Sequence, residues 1–186
     1  VLPTAGDHNV YGGLYRDVEL IVTEQSVIRA SEGGIRLVQK AVSSERAAVD
    51  AVIRIDGQRD RNLLVNLAVT TPRRDTIFFQ ASRFRVPASG IGTVTIPIEL
   101  ESPTLWNGVE NPYLYNVIVK VTDQNVTCDS LAVPLGLRYF SVDPKTGFAL
   151  NGRPLQLHGV FYYEDRASVG PALTEYQIRE DLDYMV

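Results

Sequence analysis

Apolar residues alternate with polar ones along most of this chain, and this period of two constrains the fold more than any other feature. Residues 47–55 place Val49, Ala51, Ile53 and Ile55 on every second position. Successive side chains of a β-strand point to opposite faces of a sheet, so such a segment predicts a strand with one buried face. The same reasoning predicts five further strands, at residues 35–42, 63–69, 93–100, 113–121 and 130–140.

The strand segments follow one another closely and are separated by Gly, Pro and Asp residues, such as Asp56-Gly57. Short, regularly spaced strands are typical of two packed antiparallel sheets and argue against a βαβ fold. We therefore expect a mainly β protein, with an immunoglobulin-like antiparallel β-sandwich over residues 31–142. Pro97 indicates an edge strand. Trp106 is expected to pack in the core or at its edge, with ligand stacking as the alternative.

The two ends of the chain depart from this pattern. Residues 14–22 form another strand-like segment with no turn to pair it locally, so we expect it to belong to an upstream domain. Residues 148–157 predict a β-hairpin, and Asn151-Gly152 favours a type I′ turn.

Helical patterning follows the hairpin. Thr174 and Gln177 have the spacing of a capping box, and Ile178, Leu182 and Met185 then form one apolar stripe. A strand, a long loop and an amphipathic helix are how a (β/α) barrel begins. We therefore predict a truncated (β/α) barrel after the sandwich.

Composition excludes several classes of function. The net charge is −4 and the 18 basic residues are scattered, so we expect no nucleic-acid partner. No apolar run reaches membrane-spanning length, so we expect no membrane association. Cys128 is the only cysteine, which precludes an intrachain disulfide and a multi-thiolate metal site, and we interpret it as a small buried residue.

Residues 158–166, at the end of the predicted first barrel strand, carry the side chains that best suit ligand binding. Three aromatic residues precede the acidic pair Glu164-Asp165 there. Aromatic rings pack on sugar C–H faces and carboxylates accept hydroxyl protons, so the composition suits carbohydrate recognition. A solvated turn whose aromatic residues pack against the protein is the equally weighted alternative.

Three groups of motifs resemble family 2 of the glycoside hydrolases, in the order of that family. The end of its sugar-binding domain resembles YGGLYRDVEL at residues 11–20. Its immunoglobulin-like domain resembles LW at 105–106 with ENPYLY at 110–115. The start of its barrel resembles GLR at 136–138, FALNGRP at 148–154 and LHGV at 157–160.

The resemblance implies three domains: the end of a jelly-roll sugar-binding domain (1–30), the immunoglobulin-like sandwich (31–142) and the start of a TIM barrel (143–186). It implies a fragment of a retaining β-glycosidase, nearest to a β-galactosidase, with β-glucuronidase and β-mannosidase as sister activities. Both catalytic glutamates are expected beyond Val186, so the fragment itself is expected to be an inactive spacer. The alternative is a non-catalytic immunoglobulin-like module that binds carbohydrate or protein.

The resemblance also implies the site residues and partners. Tyr163, Glu164 and Asp165 are the predicted substrate-binding residues, and Tyr163 stands where the family often has a histidine. No cofactor or metal is expected in the fragment, whereas a divalent cation fits the full-length enzyme. The expected partner is a carbohydrate substrate, and a homo-oligomer is compatible with the family. For the cellular compartment, the periplasm and the cytoplasm of a bacterium are both left as alternatives.

Overall fold

The structure is a computed structural model that describes residues 12–29 and 33–185. The chain divides into two compact units. The larger unit comprises residues 22–157, and the smaller one contains the described residues 12–21 together with 158–185.

The larger unit contains two four-stranded sheets, and every strand pairing in them is antiparallel. In the first sheet β3 (Arg46–Asp56) is central, with β6 (Ile91–Glu101) along one side. Both β1 (Val27–Ile28) and β2 (Ile35–Val42) lie along the other side. The second sheet has the order β5 (Thr76–Arg85), β4 (Asn62–Thr70), β7 (Tyr115–Asp123) and β8 (Val126–Leu135).

The core lies between the inner faces of these sheets and is built by the alternating residues. On β3 from Ala47 to Ile55 and on β4 from Leu63 to Val69, every second residue is apolar and its side chain is buried, as the sequence predicted. The neighbouring strands, β6 beside β3 and β7 beside β4, add Ile96, Ile98, Val117, Val119 and Val121 to the same cluster. Residues 33–142 contain no helix. The predicted mainly β, immunoglobulin-like sandwich is thereby confirmed.

Strand β5 is absent from the sequence-based prediction. Its apolar residues Ile77, Phe78 and Phe79 are consecutive, so no period of two is visible there. The pairing with β4, in which Phe79 lies opposite Ala68, makes it a strand. The predicted strand at 130–140 was also misplaced, because β8 ends at Leu135 and the next strand begins at Phe140.

Three single-residue expectations can be compared with the fold. Pro97 lies on β6, which pairs only with β3 in the described residues, so the edge-strand prediction is confirmed. The guanidinium of Arg138 lies 5.1 Å from the centre of the Trp106 ring, which places this tryptophan in a packing contact. Cys128 is half-buried, so it is more accessible than predicted.

A small third sheet completes the larger unit. It has the order β11 (Arg153–Pro154), β10 (Gly147–Leu150) and β9 (Phe140–Asp143). Between β10 and β11, Asn151 has φ 49° and Gly152 has φ 78°. Positive φ at both central residues is the signature of a type I′ turn, so the predicted hairpin is confirmed.

The smaller unit contains helix α1 (Glu175–Asp183). The Thr174 hydroxyl accepts from the Gln177 backbone N–H, and the Gln177 side chain accepts from the Thr174 backbone N–H, so the capping box is confirmed. Leu182 and Met185 of the predicted apolar stripe are exposed. No helix in the described part of the chain is long and apolar enough to cross a membrane.

The strand predicted at residues 14–22 is wrong, because the structure has no strand there. Leu14 and Leu20 are exposed, and a strand forms stably only with a neighbour to take its backbone hydrogen bonds. Tyr11, the first residue of the motif that resembles the sugar-binding domain, lies outside the described residues. The predicted domain boundaries, after residues 30 and 142, remain a prediction about the intact protein.

Candidate functional site

The predicted site residues lie in the long connection between β11 and α1. Tyr163, Glu164 and Asp165 are all exposed, and Tyr163 retains 53% of its accessible surface. The Asp165 backbone N–H donates to the Tyr163 carbonyl oxygen at 2.7 Å, which turns the chain sharply at Glu164. A phenol and two carboxylates are thus presented within one turn, and these groups suit hydroxyl-rich ligands.

Arg166 fixes the end of this turn to helix α1. Its Nε donates to both carboxylate oxygens of Asp181, at 3.1 and 3.3 Å, and one terminal nitrogen also contacts Asp181. The other terminal nitrogen pairs with Glu180 at 2.9 Å. A further bond of 3.0 Å reaches the Gln177 carbonyl oxygen. Arg166 therefore binds acceptors from three residues of the helix.

Tyr162 joins the same cluster, because its hydroxyl donates to Asp181 at 2.8 Å. Hydrogen bonds from Arg166 and then from Tyr162 stabilise the Asp181 carboxylate and lower its pKa. Partial desolvation, followed by the bond to Asp181, raises the pKa of Tyr162. Bonds to Asp181 and Glu180 raise the pKa of Arg166 above its already high value. The cluster thus holds a charged carboxylate, a charged guanidinium and a neutral phenol.

Glu164 contacts a residue from the far end of the sequence. Its carboxylate forms an ion pair with the guanidinium of Arg16, which is 148 residues away. Both side chains are about half exposed, at 51% for Arg16 and 48% for Glu164. The charge of Glu164 is thus balanced by a protein group. Its predicted contact with substrate remains a prediction.

The sequence pattern singled out residues 163–165 but predicted neither the turn at Glu164 nor the residues that hold it. Arg16, Arg166 and Asp181 were not candidates, because no local spacing relates them. One signal was available: Gln177, Glu180 and Asp181 fall at i, i+3 and i+4 and so share one helix face. An acidic face on a helix that follows an Arg-containing loop favours an ion pair between the two.

A metal site has no support within the described residues. No group of three or more His, Cys, Asp or Glu side chains there is arranged to hold an ion. His158 is exposed, at the beginning of the second segment of the smaller unit. The divalent cation remains a prediction for the full-length protein.

Curated relatives match all or nearly all of this chain. A β-glucuronidase from Bacteroides fragilis is 35% identical over 100% of the chain, which covers 27% of that protein. A β-galactosidase from Bacteroides ovatus is 27% identical over 93% of the chain, which covers 20% of that protein. The chain therefore spans about a quarter or less of the length of these relatives.

Solved structures and a family profile agree with these matches. The crystal structure of a Parabacteroides merdae β-glucuronidase has a TM-score of 0.83 at 26% identity, covering 97% of this chain and 22% of that one. A Bacteroides uniformis β-glucuronidase has the same fold, with a TM-score of 0.82 at 22% identity, covering 88% of this chain and 20% of that one. The profile of "Glycosyl hydrolases family 2" matches residues 34–138, more than half of the chain. The chain belongs to family 2 of the glycosyl hydrolases.

Proposed function

We propose that the intact protein containing this chain is a retaining β-glycosidase. The observation that carries this proposal is the 35% identity to a β-glucuronidase over the whole chain. The sandwich then serves as a spacer, and the turn at residues 163–165 supplies contacts to the sugar. Family membership and the exposed turn support this division of roles.

The chemistry requires two carboxyl groups about 5–5.5 Å apart. One attacks the anomeric carbon and forms a glycosyl–enzyme ester, while the other protonates the departing oxygen. The second group then removes a proton from water, and the water oxygen displaces the enzyme carboxylate from the sugar. We place both carboxyl groups in the part of the protein beyond Val186, so the 186-residue chain alone performs no turnover.

Two classes of substrate are candidates. We rank β-glucuronides first, because the relative with that name is 35% identical, compared with 27% for the β-galactosidase. β-Galactosides, which the sequence analysis placed first, are the second candidate. The two sugars differ at C6, where a glucuronide carries a carboxylate and a galactoside a hydroxymethyl group, and in the configuration of the C4 hydroxyl. A panel of aryl glycosides therefore separates them directly.

Within the turn, Tyr163 and Asp165 are the main proposed contacts to the sugar. The phenol of Tyr163 donates and accepts hydrogen bonds and offers a flat face to sugar C–H groups. The carboxylate of Asp165 accepts protons from sugar hydroxyls. Glu164 is the third proposed contact, and its carboxylate also binds Arg16.

The test is kinetic and uses the intact protein with 4-nitrophenyl β-glucuronide, β-galactoside and β-mannoside. We expect turnover of at least one glycoside by the intact protein and none above background by the 186-residue chain. Tyr163→Ala should raise the activation free energy that governs kcat/KM by about 1 kcal/mol or more. This corresponds to a fall in kcat/KM of at least roughly fivefold.

Tyr176→Ala is the matched control, because Tyr176 is an exposed tyrosine of the same compact unit and lies on α1. Its kinetics should equal those of the wild type. Turnover by the 186-residue chain that Glu164→Gln abolishes would show that the active site was placed wrongly. Absence of turnover by the intact protein, together with saturable sugar binding to residues 31–142, would favour the non-catalytic module instead.

A further inference from the structure

Residues 162–166 form a segment that we call the anchored loop. Every second residue of this loop forms hydrogen bonds or ion pairs with other parts of the smaller unit. Tyr162 donates to Asp181, Glu164 pairs with Arg16, and Arg166 contacts Asp181 and Glu180. Tyr163 and Asp165, the two main proposed sugar contacts, alternate with these three residues in the sequence. The three contacts therefore restrain the backbone on either side of each of them.

Arg166 is suited to this task by the shape of its side chain. A guanidinium presents five N–H donors in a rigid plane, and Arg166 directs them to Asp181, Glu180 and the Gln177 carbonyl oxygen. Its side chain is 26% exposed and that of Asp181 is 20% exposed, so solvent competes less here than at an ordinary surface pair. A lysine, with one nitrogen, cannot span all three acceptors.

The backbone after the anchored loop is also closed tightly. Arg166 and Gly170 exchange backbone hydrogen bonds of 3.2 and 2.8 Å, and Ser168 between them has φ 77°. On the N-terminal side, the Tyr162 hydroxyl donates to Asp181, and between Tyr163 and Asp165 the turn at Glu164 is held by Arg16. The chain carrying Tyr163 and Asp165 is thus restrained on both sides.

We propose that Arg166, assisted by Arg16, is a positioning residue that holds Tyr163 and Asp165 in place for sugar binding. This inference rests on the proposed function. Displacing a binding group by about 1 Å can lower a rate by roughly a hundredfold, so loosening the anchored loop should be visible in the kinetics. Arg166 acts through the loop and does not contact the sugar.

The experiment measures two properties of the intact protein: backbone amide hydrogen exchange in residues 162–170, and KM for the aryl glycoside with the highest turnover. Arg166→Lys should accelerate exchange in the loop and raise KM by about tenfold, with kcat per active site changing less. Active sites are counted by stoichiometric labelling with a covalent inactivator, so that unfolded molecules do not affect the result. Tyr162→Phe is the second variant, which keeps the test valid if Arg166→Lys fails to fold. It removes only one hydroxyl, so it should also accelerate exchange and should raise KM by about two- to threefold.

Arg179→Lys is the matched control. Arg179 also pairs with a carboxylate on α1, but its side chain is 72% exposed and that of Glu175 is 80% exposed. This substitution should change neither exchange nor KM. In a Tyr163→Ala background, the effect of Arg166→Lys on KM should shrink, because the contact that it positions has been removed.

The outcomes are distinguishable. Faster exchange with an unchanged KM would make the anchored loop merely structural and overturn the positioning role, as would unchanged exchange in both Arg166→Lys and Tyr162→Phe. The positioning role would also be overturned if Arg166→Lys raised KM by the same factor in the Tyr163→Ala background as in the wild type. A wild-type protein without any turnover would instead overturn the proposed function on which the inference rests.

Discussion

The side-chain amide of Asn151 donates a hydrogen bond of 2.9 Å to the main-chain carbonyl oxygen of Trp106. The same amide nitrogen lies 2.6 Å from Oδ1 of Asn107, and Asn151 Oδ1 accepts from the Tyr139 backbone N–H at 3.0 Å. The type I′ turn of the third sheet is thereby fastened to the connection between β6 and β7. One residue thus supplies both the backbone conformation of the turn and its attachment.

Replacing Asn151 should separate these two contributions. Asn151→Ala removes three side-chain hydrogen bonds and places alanine at φ 49°, so we expect a loss of about 2–4 kcal/mol in the free energy of unfolding. Asn151→Gly removes the same bonds but tolerates positive φ, so its loss should be about 1 kcal/mol smaller. Urea unfolding monitored by fluorescence of Trp106, the only tryptophan, provides the measurement. Equal losses in the two variants would contradict the conformational part of this explanation.

A second prediction concerns the buried face of β4. Leu67 is fully buried between the sheets, so Leu67→Ala should lower the free energy of unfolding by about 2–5 kcal/mol. Leu64 lies on the opposite face of the same strand and is 38% exposed, so Leu64→Ala should cost less than about 1 kcal/mol. Chemical denaturation of both variants tests the assignment of faces, and a reversed order would refute it.

A third prediction concerns the close contact of β6 with β5. A Cβ atom added at Gly92 would lie 2.6 Å from Cζ of Phe84 and 2.9 Å from Cδ of Pro87. Gly92→Ala should therefore destabilise the sandwich by about 1–3 kcal/mol through overpacking. Gly159→Ala is the control, because no atom lies within 4 Å of its added Cβ.

The overpacking explanation can be checked with a second substitution. Phe84→Leu shortens the side chain that a Cβ at position 92 would strike, so Gly92→Ala should be less costly in the Phe84→Leu background than in the wild type. Thermal unfolding of the wild type, the two single variants and the double variant gives the coupling free energy between positions 84 and 92. A fully additive result would show that the cost of Gly92→Ala has another origin.

A fourth prediction concerns pH. Arg166 and Tyr162 lower the pKa of Asp181 in the folded protein, so this interaction stabilises the fold at pH above the ordinary carboxyl pKa of about 3.9. The stabilisation is lost as the pH falls through the lower, folded pKa. An NMR titration of the Asp181 carboxyl should have its midpoint below about 3.9, and Arg166→Gln should shift the midpoint upward. A wild-type midpoint at or above the ordinary value would be inconsistent with the ion pair.

Much of the sandwich could be predicted from the sequence because its signals are local. The burial of Val65 and Leu67 follows from alternation along one strand, and the type I′ turn follows from two adjacent residues. The capping box of Thr174 and Gln177 lies within a single helical turn. In each case the interacting groups are close in sequence, so their spacing is visible without the fold.

By itself, then, the sequence determined the sandwich, the hairpin turn and the helix start, and it singled out residues 163–165 as candidate site residues. Tertiary structure decided that Thr76–Arg85 forms a strand, because β4 supplies its hydrogen bonds. It also decided the attachment of the turn through Arg16 and Arg166. Arg16 and Glu164 are 148 residues apart, so only the path of the folded chain brings their charges together.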